Sequence, residues 1–135
     1  MSAVAPRVVA VVVAWNRREL VQRTLAALEA QTARLHRIVV IDNGSDDGSA
    51  DVVEQRFPGV ALTRLGRNTG GAGGFTAGIE RAVTVHDAEL VWLMDDDTVP
   101  DPTALAELLR ARAAAPAAPW CSPRRSAGRT AAPTP

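Results

Sequence analysis

Three consecutive aspartates, Asp95-Asp96-Asp97, close the apolar run Val91-Trp92-Leu93-Met94. In extended chain alternate side chains share a face, so Asp95 and Asp97 point the same way. Adjacent carboxylates repel one another and are costly unless a cation or strong solvation offsets them. Hard oxygen donors with an otherwise open coordination sphere suit Mg²⁺ or Mn²⁺ carrying phosphate oxygens. Such an ion acts as a Lewis acid that neutralises charge on a departing diphosphate. A solvated acidic turn, common at strand ends, accounts for the same triplet without a metal. A second acid, Asp42, ends another apolar run. There it is placed to meet ribose hydroxyls or a base N–H, although an Asx turn with Asn43-Gly44 is compatible with the same residues. The third feature is the stretch Asn68-Thr69-Gly70-Gly71-Ala72-Gly73-Gly74. Its glycines let backbone approach a ligand closely and adopt positive φ. The spacing is not that of a dinucleotide fingerprint, and the stretch follows the third apolar run rather than the first. A flexible loop capping a helix is the plainer alternative.

The elements that must carry these residues alternate between strand and helix. Val8–Ala14 is a continuous β-branched run, as expected of a strand buried on both faces. Asn16 can cap the following helix, where Leu20, Thr24, Ala27, Leu28 and Gln31 fall at helical spacing. Residues 37–41 form a second strand, ended by the Asp42-Asn43-Gly44 turn signal. Ser45 or Asp47 opens a helix with Val52, Val53 and Phe57 on one face, stopped at Pro58-Gly59. Residues 60–65 are a short third strand. The glycine-rich stretch 66–74 leads into a helix carrying Ile79, Ala82 and Val83. Residues 89–94 are a fourth strand, and Asp101-Pro102 starts a helix over 103–114. This succession predicts an α/β fold, a parallel sheet of about four strands with helices on both faces. Right-handed crossovers make the order 3-2-1-4. Ligands bind such sheets beyond the carboxyl ends of the strands, where the winding reverses. Here that point lies between the loops at 15–17 and 95–97.

Composition bounds what such a domain can be. A chain of 135 residues has room for one core. With 47% hydrophobic and 22% charged residues it is of ordinary globular type, and its formal net charge of zero gives no field favouring nucleic acid. All 15 basic residues are Arg, which excludes any mechanism that needs a Lys. The single Cys121 excludes an internal disulfide. The first apolar run has neither the length of a membrane span nor a cleavage pattern, so the expected location is cytoplasmic, with room for peripheral membrane contact. His36 and His86 lack ligand spacing and are expected to be solvated, whereas Trp92 is expected in the core. From about Pro116 the periodicity stops, and 116–135 reads as a disordered tail behind a domain spanning 1–115. More sheet should follow the last helix in a fold of this kind, so the chain reads as cut short or frameshifted.

Four segments taken together are far more specific than any one alone. These are Val12-Val13-Ala14-Trp15-Asn16-Arg17, Val40-Ile41-Asp42-Asn43-Gly44-Ser45-Asp46-Asp47-Gly48, Arg67-Asn68-Thr69-Gly70-Gly71-Ala72-Gly73-Gly74-Phe75 and Met94-Asp95-Asp96-Asp97-Thr98-Val99-Pro100. In order and spacing they resemble family 2 glycosyltransferases of the GT-A fold, and the glycine-rich loop with the Asp triplet looks most like the galactofuranosyltransferase branch. The resemblance covers roughly residues 7–115. It implies metal-dependent transfer of a sugar from a UDP-sugar, such as UDP-galactofuranose, to a glycan or lipid-linked acceptor. By the resemblance, Asp95 and Asp97 would hold Mn²⁺ or Mg²⁺ on the donor diphosphate, with Asp96 a neighbouring polar contact. Asp42, Arg17 and Asn68 would contact uridine and ribose, Ala14 and Trp15 would supply backbone or wall contacts, and Gly70 and Gly74 would belong to the same nucleotide-sugar site. Asn43 departs from the pattern, since many members carry a second Asp there.

Inversion at the anomeric carbon needs a base to deprotonate the acceptor hydroxyl. No candidate follows Asp97, because Asp101 and Glu107 read as a helix cap and an exposed helical charge. Two alternatives therefore stand beside the transferase. One is a nucleotide-binding remnant without turnover. The other is a haloacid dehalogenase-like phosphatase, whose nucleophile motif Asp95-x-Asp97-x-Val99 fits but whose downstream Lys has no counterpart here.

Overall fold

A computed structural model of the protein describes residues 5–114. The tail expected at 116–135 lies outside the described residues. Within them the chain alternates strictly: β1 (Val8–Ala14), α1 (Arg18–Glu29), β2 (Arg37–Asp42), α2 (Ser49–Arg56), β3 (Ala61–Arg64), α3 (Gly70–Thr84), β4 (Leu90–Asp95) and α4 (Ala104–Ala114). The strands form one parallel sheet in the order β3-β2-β1-β4. This is the order the sequence pattern predicts.

The sheet is built outward from β1, whose seven residues are all buried. Its alternating side chains feed two separate cores. Ala10, Val12 and Ala14 pack with Val21, Leu25 and Leu28 of α1 and with Val52 and Val53 of α2. Val9, Val11 and Val13 pack on the opposite face with Val39, Ile41 and Ala82 of α3. A strand covered on both sides must be apolar throughout, and β-branched residues fill the pleated surface well. Each fully buried Val contributes roughly 1.5–3 kcal/mol relative to exposure.

The helices differ in detail from their sequence signals. Asn16 does not cap α1: it adopts a left-handed φ of 49°, and α1 starts after Arg17 with no side-chain cap of its own. The buried face of α1 runs through Val21, Thr24, Leu25 and Leu28, one residue round from the stripe expected through Leu20 and Ala27. Asp47 does the work of two caps, accepting from Ser49 N (2.9 Å) and Arg18 N (3.2 Å). Burial would raise its pKa, but the hydrogen bonds from Ser49 and Arg18 outweigh it and hold the carboxyl below its ordinary value.

Only the start of the glycine-rich stretch, residues 66–69, is a loop. Gly70–Gly74 open α3 itself, and Gly70 has a φ of 81°. Gly74 and Gly78 are buried against the sheet. A Cβ on Gly74 would lie 2.6 Å from Val13 Cγ1, and one on Gly78 would run into the Val11 side chain. The missing side chains let α3 settle directly onto β1.

Trp92 packs, half-buried, against the α1–α2 core as expected. His86 departs from its expected solvation: it is half-buried, and its Nε2 has no partner. Burial, with Arg37, Arg81 and His36 nearby, pushes its pKa down. No helix among the described residues is long and apolar enough to cross a membrane.

Candidate functional site

The reversal of winding sets β1 beside β4, with Val13 paired to Asp95. Two loops therefore meet at the carboxyl ends of these strands, and hydrogen bonds lock them together. Asp96 is buried and accepts from Trp15 N (2.9 Å), while its own carbonyl accepts from the buried Thr24 Oγ1 of α1 (2.9 Å). Burial raises its pKa, opposed by the Trp15 N–H and by Arg17 and reinforced by Asp97 and Asp95. The middle aspartate is thus a bolt between β4, the β1–α1 loop and α1. Its neighbours Asp95 and Asp97 stay exposed. Arg17 Nη1 lies 3.5 Å from Asp97 Oδ2.

A second clamp joins β2 to α3. Asn43, 3% exposed, accepts from Thr69 N (2.9 Å) and Thr69 Oγ1 (2.8 Å) and donates from Nδ2 to the Gly70 carbonyl (3.0 Å). Its backbone N–H donates to the Ala14 carbonyl (2.8 Å). Beside it Gly44, with φ 84°, leaves room for the chain at residues 67–68, since a Cβ there would lie 2.6 Å from Asn68 N. A third tie holds the β1–α1 and β2–α2 loops: Asn16 N donates to Ser45 Oγ and Asp46 N to Asn16 Oδ1, both at 2.9 Å.

These clamps frame an open cleft of about 330 Å³. It gathers Trp15, Arg17, Asn68 and Gly70 with Asp95, Asp96 and Asp97. Val13, Asn43 and Gly71 also line it. Trp15 presents an indole that is 49% exposed. Three residues expected in the site do not line the cleft. Ala14 is buried at the end of β1, and Gly74 lies against Val13. Asp42 is two strands from Asp95, and its pairing with Ala14 puts it in register with the α1–α2 face, whereas Asp95, paired with Val13, belongs to the α3 face. Asp42 is only 4% exposed; its Oδ2 accepts from Ser45 N (3.2 Å), and its Oδ1 has no partner.

Sequence reasoning did not anticipate the roles of Asn43, Thr24 and Val13. For Asn43 a signal existed: an amide can both donate and accept, and here both capacities are spent on Thr69 and Gly70. A carboxylate at 43 would lack the donor that Gly70 O requires.

Among the described residues no three His, Cys, Asp or Glu side chains form a group that could hold a metal by themselves. The donors that remain fit a divalent ion of another kind. Asp95 and Asp97 are exposed oxygen donors in one cleft, and an ion there would take the rest of its coordination from ligand oxygens and water.

Comparison with known proteins agrees with this architecture. The family model described as Glycosyl transferase family 2 matches residues 9–131. The galactofuranosyltransferase GlfT1 of Mycolicibacterium smegmatis is 41% identical over 105 residues, covering 76% of this chain and 34% of its own. The chain thus spans about a third of the length of the curated relatives it matches. Among solved structures, the mannosyltransferase PcManGT from Pyrobaculum calidifontis, in complex with GDP-Man and Mn²⁺, is 26% identical with a TM-score of 0.60, over 70% of this chain and 28% of that one. TarS of S. aureus in complex with UDP, 22% identical with a TM-score of 0.62 over 80% of this chain and 32% of that one, shares the fold. The parallel sheet in the order 3-2-1-4 thus has counterparts among solved glycosyltransferases, and with the family model matching most of its length the chain belongs to glycosyl transferase family 2.

Proposed function

We propose that residues 5–114 are the donor-binding part of a galactofuranosyltransferase-like enzyme, taking a UDP-sugar with Mn²⁺ or Mg²⁺ and serving a glycan or lipid-linked acceptor. The observation that carries this is the opening of Asp95 and Asp97 into one cleft with Trp15, Arg17, Asn68 and Gly70. The relatives' galactofuranosyltransferase name supports the sugar, and the GDP-Man and Mn²⁺ of the mannosyltransferase support a nucleotide sugar with a divalent ion. UDP as the nucleotide follows from the sequence resemblance, and the cytoplasmic location is the expectation drawn from the short first apolar run.

In this reading each group has a stated task. The exposed Trp15 indole is a wall for an apolar or aromatic face of the donor. Gly70 N already donates to Asn68 Oδ1 (2.7 Å), so the Asn68 amide nitrogen and the following N–H groups of the first turn of α3, which lack intrahelical partners, are what offer polar groups to the nucleotide and phosphates. Asp42 Oδ1, buried without a partner, would accept from a base or ribose donor that reaches it from the rim. Asp95 and Asp97 would hold a divalent ion, which when bound would supply neutralisation of charge on the leaving diphosphate. The acceptor oxygen forms its bond to the anomeric carbon as the bond to the diphosphate oxygen breaks, and its proton must pass to a base. Among the described residues the carboxylates lining the cleft are Asp95, Asp96 and Asp97. Two of these serve the metal and one is buried, so the base is not assigned to any of them. Family membership sets aside the phosphatase alternative.

The test is a melting curve. A ligand that binds only the folded state stabilises it by about 2.7 kcal/mol at a hundredfold excess over its Kd. UDP with Mn²⁺ should raise the Tm, and UDP with chelator should raise it much less. Asp95→Ala and Asp97→Ala should each remove the metal-dependent part. A folded sample whose Tm ignores UDP and Mn²⁺ together would overturn the assignment.

A further inference from the structure

The cleft contains one cation of its own. Of the residues that line it, only Arg17 is basic, and its guanidinium reaches toward Asp97, one of the two carboxylates assigned to the metal. We propose that Arg17 is a built-in counter-cation: it holds Asp97 while the cleft is empty, releases it to a divalent ion, and then faces the donor's phosphates. Metal and nucleoside diphosphate would then bind as linked partners. This rests on the reading of the cleft proposed above and adds a control on how it fills.

Three features of the geometry carry the inference. The Arg17 backbone is anchored, because its carbonyl accepts from Val21 N (2.9 Å) at the start of α1 and the preceding Trp15 N–H is bound to Asp96. Only the side chain has freedom to move. The pair it makes is weak by construction: both side chains are 49% exposed and the contact is 3.5 Å. An exposed pair of this kind is worth only about 0.2–1 kcal/mol, so a dication can displace it. Finally, the site cannot satisfy both cations at once. A divalent ion on Asp97 repels the guanidinium beside it, whereas an arriving diphosphate attracts it and matches its planar fork of donors. Each ligand therefore removes an obstacle to the other, and by linkage the factor is the same in both directions.

The experiment is a Mn²⁺ titration of the full chain, followed by loss of the free-ion electron paramagnetic resonance signal, with and without UDP. It compares the wild type with Arg17→Gln and Arg17→Lys. Arg17→Gln should bind Mn²⁺ alone about 1.5- to 5-fold tighter, the factor to which the strength of an exposed pair converts. It should bind UDP alone more weakly and lose most of the mutual strengthening. Arg17→Lys, which keeps the charge, should stay near the wild type for Mn²⁺ alone. If the wild type takes up Mn²⁺ with UDP and Arg17→Gln shows unchanged or weaker Mn²⁺ binding with intact coupling, Arg17 is no counter-cation and the inference falls alone. If the wild type takes up no Mn²⁺ even with UDP, the donor-site reading fails and takes this inference with it.

Discussion

Within the acidic triplet, position decides role. Asp95, Asp96 and Asp97 are chemically identical, yet Asp95 ends β4 and the turn that follows buries Asp96 against Trp15 N while Asp95 and Asp97 stay exposed in the cleft. A comparable division separates Asp42 from Asn43. Asp42 carries a buried oxygen with no partner, whereas both the oxygen and the nitrogen of the Asn43 amide are bonded within the protein. The structure therefore accounts for the amide at 43 as a fastener of α3. Asn43→Asp would place a carboxylate oxygen against the Gly70 carbonyl in a nearly closed site. Losing that hydrogen bond and leaving a buried acceptor unpaired costs about 1–3 kcal/mol. Urea denaturation should show that loss, and UDP affinity should not improve. A variant as stable as the wild type that binds UDP more tightly would mean that position 43 serves the ligand instead.

For α3, the balance is between helix propensity and proximity to the sheet. A glycine in a helix interior is worse than Ala by about 0.8–1 kcal/mol, so a helix with four glycines in its first five residues needs a compensating reason. At Gly74 and Gly78 the reason is contact with Val13 and Val11. At Gly71 nothing lies within 4 Å of an added Cβ. The two kinds of glycine should respond in opposite directions. Gly78→Ala forces α3 off the sheet, and overpacking of this sort costs about 1–3 kcal/mol, more than the propensity returns. Gly71→Ala should be neutral or slightly stabilising. Equal effects of the two substitutions on the denaturation midpoint would show that the close approach of α3 is not what the glycines serve.

Across the whole molecule, the open question is where the cooperative unit stops. We propose a domain of residues 1–115, because 116–135 lack apolar periodicity and offer no face to bury. The family match nevertheless runs to residue 131. A chain ending at residue 115 should melt within about one or two degrees of the full chain, a shift that corresponds to a few tenths of a kcal/mol for a domain of this size. It should also keep the response to UDP and Mn²⁺. A drop of several degrees would place part of the segment beyond 115 inside the cooperative unit and move the boundary.

The sequence by itself determined the succession of elements, the strand order and the end of the sheet at which the cleft opens. Those follow from local periodicity and from chirality rules that hold for any chain, and Val8–Ala14 announced its central place by having no polar residue. Extended chain would put Asp95 and Asp97 on one face, but β4 ends at Asp95, and the turn through Asp96 and Asp97, with Thr98 N donating to the Asp95 carbonyl (3.3 Å), is what sets them in the cleft. Tertiary structure alone decided the rest. Whether a glycine serves a ligand or a neighbouring strand depends on what lies across from it, and for Gly74 and Gly78 that is Val13 and Val11. Asn16 looked like a cap, but contacts some thirty residues away, to Ser45 and Asp46, hold it in a left-handed turn. Asp42 and Asp95 both end strands, yet their register against Ala14 and Val13 assigns them to opposite faces of the sheet. Arg17 meets Asp97 only because β1 and β4, eighty residues apart in the chain, lie side by side. Pairings of this kind are set by packing between distant segments, and no local pattern records them.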